Sequence, residues 1–306
     1  MTLKARYARD AAIQVGVVLM TLIVVIPLLI IIVYVVANGI TALNLDFFTQ
    51  ELGSPARAIQ GRPAGLRASI IGTIVIDLIA LAMALPFGIA TGIMMSEYPE
   101  HPFAPVTRLM VSTLNGMPAV LMGLLAYALV VKNTGGFSAL AGSVALAFVM
   151  IPIISRTTES VLRVTPWSLR EAGLSLGLPR WRVTVSLVLP AARAGIVTGA
   201  LIAFARAAGE AAPLLLTSFG NNYFSMDLTQ PMDTLPQRLY SLAISPYRQW
   251  HSMGWGGAII LLLFVMLTFY AGRIAVKKME ERALGVNEER RTARRKTRKD
   301  RREANQ

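Results

Sequence analysis

Long apolar stretches separated by short polar ones dominate the chain, and six of them reach the roughly twenty residues that a helix needs to cross a bilayer. They run from Ala11 to Ala37, Ser69 to Met95, Val106 to Val131, Ser138 to Ile154, Ser186 to Thr217 and Gly254 to Val276. The fourth is the shortest, and the first three carry no charge apart from Asp77 and Arg108. The pattern predicts an all-α membrane protein of six transmembrane helices. Pro86, Pro118, Pro152, Pro190 and Pro213 fall inside spans two to five. Each removes a backbone donor and bends its helix, which membranes accept where a neighbouring helix or a cavity satisfies the freed carbonyl. A bundle around a pathway fits this, as does the general enrichment of proline in membrane helices.

Composition agrees: of 306 residues 54% are hydrophobic and 15% charged, and the mean hydropathy is +0.55. The net charge of +13 gathers in one tail and a few loops instead of a basic stripe interleaved with aromatics, which argues against nucleic-acid binding. There is no cysteine, and His101 and His251 are too far apart in the chain to suggest a metal cluster. The chain has no phosphate-cradling glycine-rich loop of its own, so any ATP must be used by a partner. It also has no H-E-x-x-H, no Ser/His/Asp set and no paired carboxylates at a workable spacing, which disfavours an enzyme.

Both termini are basic, as an even number of spans with both ends in the cytoplasm requires, and Arg156, Arg163, Arg170, Arg180 and Arg182 put the loop 155–185 on the same side. The loops 38–68 and 218–253 then face outward, although their own arginines make the rule imperfect. Residues 35–37, "VVA", follow an apolar run too long for a secretory signal, so the first span is expected to be uncleaved. The division expected is a cytoplasmic N-terminus (1–10), a permease domain (11–276) and a basic cytoplasmic tail (277–306) that cannot bury a core and is expected to be disordered near anionic lipid.

In "TPWSLREAGLSLGLPRWRVTVSLVLP", residues 165–190, Thr165 suits an N-cap, Pro166 the first helical position and Gly177 a left-handed C-terminal turn, while Pro179 opens the next helix. The punctuation predicts a short helical elbow with Glu171, Ala172 and Gly173 on its surface. Small residues permit close approach and a charge fixes register; a plain amphipathic connector would read the same way. The spacing of Glu171, Ala172, Gly173, Gly177, Leu187, Leu189 and Pro190 resembles the "EAA" motif of permease subunits in type I ATP-binding-cassette importers, with glycine where the third position is usually alanine. That resemblance implies a MetI-like permease fold and a coupling helix docked on an ATPase through Glu171, Ala172, Gly173, Gly177, Leu189 and Pro190.

"LNLDFFT" (43–49), "STLNGMPAVLMGLLAY" (112–127), "RTTESVLRVTPWSLREAGLSLG" (156–177), "FARAAGEAAPLLLT" (204–217) and "DTLPQRLYSLA" (233–243) further resemble the PstA family of phosphate-importer permeases, with Arg238 where a neutral residue is expected. The resemblance implies a multi-pass protein of the inner (cytoplasmic) membrane. Its partners would be a PstC-like permease, two PstB-like ATPases that use ATP and magnesium, and a PstS-like phosphate-binding protein. No cofactor is expected on this chain.

Arg206 and Glu210 lie four apart, on one face of a helix. A charge deep in a span costs at least about 2.5 to 3.5 kcal/mol and therefore faces a bundle interior or a water-filled cavity. The planar fork of arginine suits phosphate oxygens. Arg206 is the candidate anion contact and Glu210 its partner; a self-neutralising ion pair, or one that ties two permeases together, explains the same spacing. Asp77, Arg156 and Glu159 are further candidates. Two other readings stay open: a permease for sulfate or molybdate, and a membrane scaffold or sensor that signals phosphate status.

Overall fold

A computed structural model describes residues 3–54, 56, 60 and 64–283. Among them the regular structure is helical, apart from one isolated bridge between Phe219 and Met232. Among the described residues five helices are long and apolar enough to cross a membrane, and a bent helix pair, taken as one span, makes six. The described residues form two compact units, those up to 67 with 239–261 and those of 68–238 with 262–283.

The first unit opens with α1, Leu3–Gly39, an apolar helix whose side chains along the span are exposed. Its outer segment is fixed by aromatic and glycine contacts: Tyr34 meets Trp255 edge-on, with ring centroids 5.2 Å apart. The short α2, Leu45–Thr49, starts where the Asn44 side chain accepts a hydrogen bond from Phe47 N at 2.8 Å, and it buries Phe47.

The second unit contains α3 (Arg67–Glu97), α4 (Phe103–Gly116), α5 (Ala119–Thr134), α6 (Ala139–Val164), α7 (Trp167–Ser175), α8 (Arg180–Ala207) and α9 (Ala212–Leu215). Two further helices, α10 (Leu235–Ala243) and α11 (Arg248–Ala283), continue the chain. At the centre is α6, begun by the Ser138 hydroxyl, which accepts from Ala141 N. Helices α3 and α8 close on it through glycines spaced by one turn. A methyl added at Gly88 would lie 2.7 Å from Ile154 Cβ, one at Gly92 2.5 Å from Thr158 Cβ, and one at Gly195 2.6 Å from Val161 Cγ2. Lipid gives apolar helices little reason to associate, so close backbone approach and hydroxyl contacts supply the attraction. Thr91 and Ser155 hydroxyls meet at 2.5 Å across α3 and α6, and Ser143 donates to the Ile76 carbonyl. The core they enclose is built from Ile76, Ala80, Leu146, Met150, Ala203 and Ala207.

Three expected spans change shape. The third, expected as one helix from Val106 to Val131, is two arms, α4 and α5, bent by 112°. Met117 is extended, with ψ 139°, because the residue before a proline avoids the helical region, and Pro118 supplies no donor to mend the break. The fourth remains the shortest of the single-helix spans at 26 residues, but α6 runs on through Val164, so the loop expected from 155 begins as helix. Its drop in hydropathy reflects polar side chains satisfied on the helix itself, with Thr157 bonded to the Ile153 carbonyl and Glu159 to Arg163. The fifth helix stops at Ala207 instead of reaching Thr217. Gly209 lowers helical preference there and Pro213 has no N–H to bond the Gly209 carbonyl, so the chain turns before α9. Residues 277–283 continue α11, whereas residues 284–306, most of the expected tail, lie outside the described residues.

Candidate functional site

Arg206 occupies the last turn of α8, where a cation is favoured by the carbonyl ends of the helix, and Glu210 follows in the turn leading to α9. The break takes them off a common helix, yet they stay together: Arg206 Nε is 3.8 Å from Glu210 Oε1. The pair is loose. Arg206 is 57% exposed, and its guanidinium makes no hydrogen bond among the described residues. Beside it lies a cavity of about 20 Å³ lined by Asn115 and Met117 at the end of α4, Ala119 and Met122 of α5, and Pro152 of α6. Arg206 thus meets the Pro118 break, with its donors unspent.

The other candidates divide. Asp77 is buried in α3, and its Oδ2 has no hydrogen-bond partner among the described residues. Arg156 donates to Ser112 Oγ at 2.5 Å, tying α6 to α4. Glu159 is buried, and its Oε1 accepts from Arg108 Nη2 at 3.0 Å and from Arg163 Nη2 at 2.7 Å. Arg108 also donates to the Met95 carbonyl at 3.0 Å, closing the end of α3. Glu159 is thereby a structural junction of α3, α4 and α6. Among the described residues no cluster of three His, Asp or Glu side chains is placed to hold a metal ion.

The elbow is present, with altered roles. Thr165 does not cap α7: its hydroxyl donates back to the Val161 carbonyl at 3.1 Å, and α7 starts at Trp167 after Pro166. Gly177 has φ 78°, the left-handed conformation that glycine adopts at no steric cost, and Leu178 N bonds to the Gly173 carbonyl around it. Glu171 and Ala172 are exposed as expected. Gly173 is not: it is buried against α8, where a methyl would come within 2.8 Å of both Leu187 Cδ1 and Val183 Cγ2. Glycine at this position therefore lets α7 lie flat on α8. Leu189 is half-buried and Pro190 exposed, directly after a π-turn over Thr184–Val188. Pro190 has no N–H to continue the i→i−4 ladder, which accounts for the widened turn.

The sequence reading missed two clusters. Arg170, taken there only as a loop charge, is buried and bonded to Glu97 at the end of α3. Arg238, unexpected as a charge, pairs with Asp233: Nε lies 2.7 Å from Oδ2, which also accepts from the Ser69 hydroxyl on α3. Burial pushes the Asp233 carboxyl above its ordinary range, against the opposing pull of Arg238 and the hydrogen bonds. Each pair joins charges distant from or irregularly spaced along a helix, so no periodicity announces it. A cavity of about 820 Å³ beside α7 is lined by Glu97, His101, Trp167, Arg170, Leu174 and Arg180.

Residues 84–281 match the family model described as binding-protein-dependent transport system inner membrane component. Among curated proteins, the chain is 39% identical over 240 residues to the phosphate transport system permease protein PstA of Xylella fastidiosa, covering 78% of this chain and 82% of that one. It is 39% identical over 244 residues to the Yersinia pestis protein of the same name, covering 79% and 81%. A probable phosphate transport system permease protein PstA of Methanocaldococcus jannaschii is 30% identical over 262 residues, covering 84% and 90%. Among solved structures, an inward-facing MetNI methionine ABC transporter superposes with TM-score 0.57 at 18% identity, covering 74% of this chain and 99% of that chain, a likeness of fold.

Proposed function

The chain belongs to the binding-protein-dependent transport inner membrane components, and within them to the PstA phosphate permeases; from that premise we propose how its residues divide the work. It is the permease subunit of a phosphate ABC importer, a multi-pass membrane protein and not itself an enzyme; ATP is hydrolysed by a partner ATPase. The sulfate, molybdate and sensor readings are not favoured by these relatives.

In our reading Arg206 is the anion contact. One observation carries it: a half-exposed guanidinium at the end of α8, held by Glu210 at only 3.8 Å, opening on a cavity at the break of α4 and α5. A planar fork whose donors are unspent can take two phosphate oxygens. Glu210 keeps the guanidinium in place and, being itself negative, weakens the hold on the anion so that it is released. Asp77, buried in α3, and Arg156, tied to Ser112, rank behind Arg206 as candidates for the pathway; Glu159 serves the scaffold.

At the other end of α8, Glu171 and Ala172 form the outward face of a docking helix for a PstB-like ATPase, two copies of which serve this chain and a PstC-like partner. A PstS-like protein delivers phosphate to the outer loops of an inner-membrane assembly with both termini in the cytoplasm. The ATPase supplies the ATP and magnesium chemistry. Phosphate uptake into vesicles rebuilt with all four subunit types tests the assignment. Arg206→Ala is expected to keep the ATPase bound and to abolish uptake, and Glu171→Arg to release the ATPase. Normal uptake by Arg206→Ala would remove the anion-contact role.

A further inference from the structure

Arg170 stands next to Glu171 in the chain but is turned inward. Its Nε lies 3.0 Å from Glu97 Oε2 and its Nη2 2.5 Å from Glu97 Oε1, a two-pronged bond to the last residue of α3. Its remaining donors reach main-chain carbonyls at the end of α6, Nη1 to Thr165 at 2.9 Å and Nη2 to Leu162 at 2.8 Å. Both side chains are 8% exposed, and the guanidinium lies over the Trp167 ring at 5.4 Å. Four donated bonds nearly use up the five N–H groups of an arginine, so the group has little freedom to turn.

Helix α7 therefore has two attachments of different kinds. One is the apolar seat of Gly173 on Val183 and Leu187 of α8. Apolar contact is non-directional and lets surfaces slide. The other is directional and buried, and it fixes α7 to α3 and α6. Nine residues are too few for a helix to stand alone, so α7 moves with whatever holds it. Helix α3 in turn packs through Gly88 and Gly92 on α6, which carries α8 and Arg206 on its other contacts.

We propose that the Arg170–Glu97 pair is the strap that passes a displacement of α7 into α3 and α6, so that these helices move with α8. Both are positioning residues: they do not meet the ATPase or the anion. The proposal rests on α7 being the docking helix. Without the strap α7 still docks, but its motion reaches α8 alone and the pathway fails to reorient.

The test uses the complete four-component complex in vesicles and measures ATPase retention, ATP hydrolysis and phosphate carried per ATP. Glu97→Gln and Arg170→Lys are each expected to keep the ATPase bound and hydrolysing while phosphate per ATP falls about tenfold or more. Because the chain has no cysteine, Glu97→Cys with Arg170→Cys allows a covalent thiol-to-thiol spacer to replace the strap. The double variant should be uncoupled without the spacer and recover coupling with it, a rescue that a merely structural role would not give; the two single-cysteine variants are controls. The proposal is overturned by a wild-type ratio in both Glu97→Gln and Arg170→Lys, by loss of the ATPase from either, or by a spacer that restores nothing. Glu171→Arg run in parallel separates the two readings: if it leaves the ATPase bound, the docking assignment itself fails. If it releases the ATPase while Glu97→Gln and Arg170→Lys both stay coupled, only the strap is wrong.

Discussion

Glu159 is a junction whose energetics can be worked from its exposure and its partners. Its Oε1 receives both Arg108 and Arg163, its side chain is 8% exposed, and the arginines are 38% and 56% exposed. Removing Arg163 leaves Arg108 on the same oxygen and costs about 0.3 to 0.5 kcal/mol, as for an exposed pair four apart. Removing Arg108 also loses the bond to the Met95 carbonyl and costs roughly 1 to 1.5 kcal/mol. Removing both strands a buried carboxylate, about 3 to 5 kcal/mol, well beyond the sum of the singles. At roughly 2 to 4 °C per kcal/mol, the double variant Arg108→Ala/Arg163→Ala should melt about 6 to 20 °C below the parent and the singles about 1 to 6 °C below. Adding Glu159→Gln to the double removes the stranded charge and should recover more than half of the loss. The assay is the apparent melting midpoint of the detergent-purified complex, followed by fluorescence-detected size exclusion. Strict additivity of the two arginines, or a triple variant no better than the double, refutes the reasoning.

Two further outcomes follow from packing and burial. Gly92→Leu places a side chain where Thr158 Cβ lies 2.5 Å from an added methyl, so separation of α3 from α6 should cost about 1 to 3 kcal/mol or more and reduce the yield of monodisperse complex; Gly16→Leu on α1, where nothing lies within 4 Å, should leave it unchanged. Asp77→Asn removes an ionisable group from a span without breaking a hydrogen bond, so the midpoint should hold or rise and phosphate uptake persist; lost uptake with an intact complex would make Asp77 a pathway residue.

The apolar runs announced the spans because lipid demands length and hydropathy, and both are local properties of sequence. Where the reading went astray, the deciding property was not local. Hydropathy fell after Ile154, yet α6 continued, because Glu159 finds one partner a turn away and another on α4. Pro118 reads as a bend, but a 112° break depends on where α4 and α5 each settle along α6, with α5 also seated on Pro213 through Gly123, which no window of sequence reveals. Arg206 and Glu210 stand out by their cost in a span, whereas Glu97 closes α3 and Arg170 lies in the short α7 outside the apolar runs, where a charge draws no notice. Their pairing is a tertiary fact.

The elbow motif covers some twenty positions from Glu171 to Pro190 although α7 has only nine residues. A docking surface alone would not need that reach. Its residues serve two sides of one joint: Glu171 and Ala172 face outward, whereas Gly173 faces Val183 and Leu187 and is required by their closeness. Gly177, with φ 78°, sets the angle between the two helices, and Pro190 ends the π-turn that seats Val188 in the small core shared with Leu162 and Ile196. The spacing from Gly173 to Leu187 is therefore the length of chain needed to leave α7, turn, and come back beneath it. The third motif position follows the same logic. An alanine there would bring its methyl within 2.8 Å of both Val183 and Leu187, so the glycine of this chain accommodates large α8 side chains, and its replacement by alanine makes Leu187 turn and α7 lift from Val183.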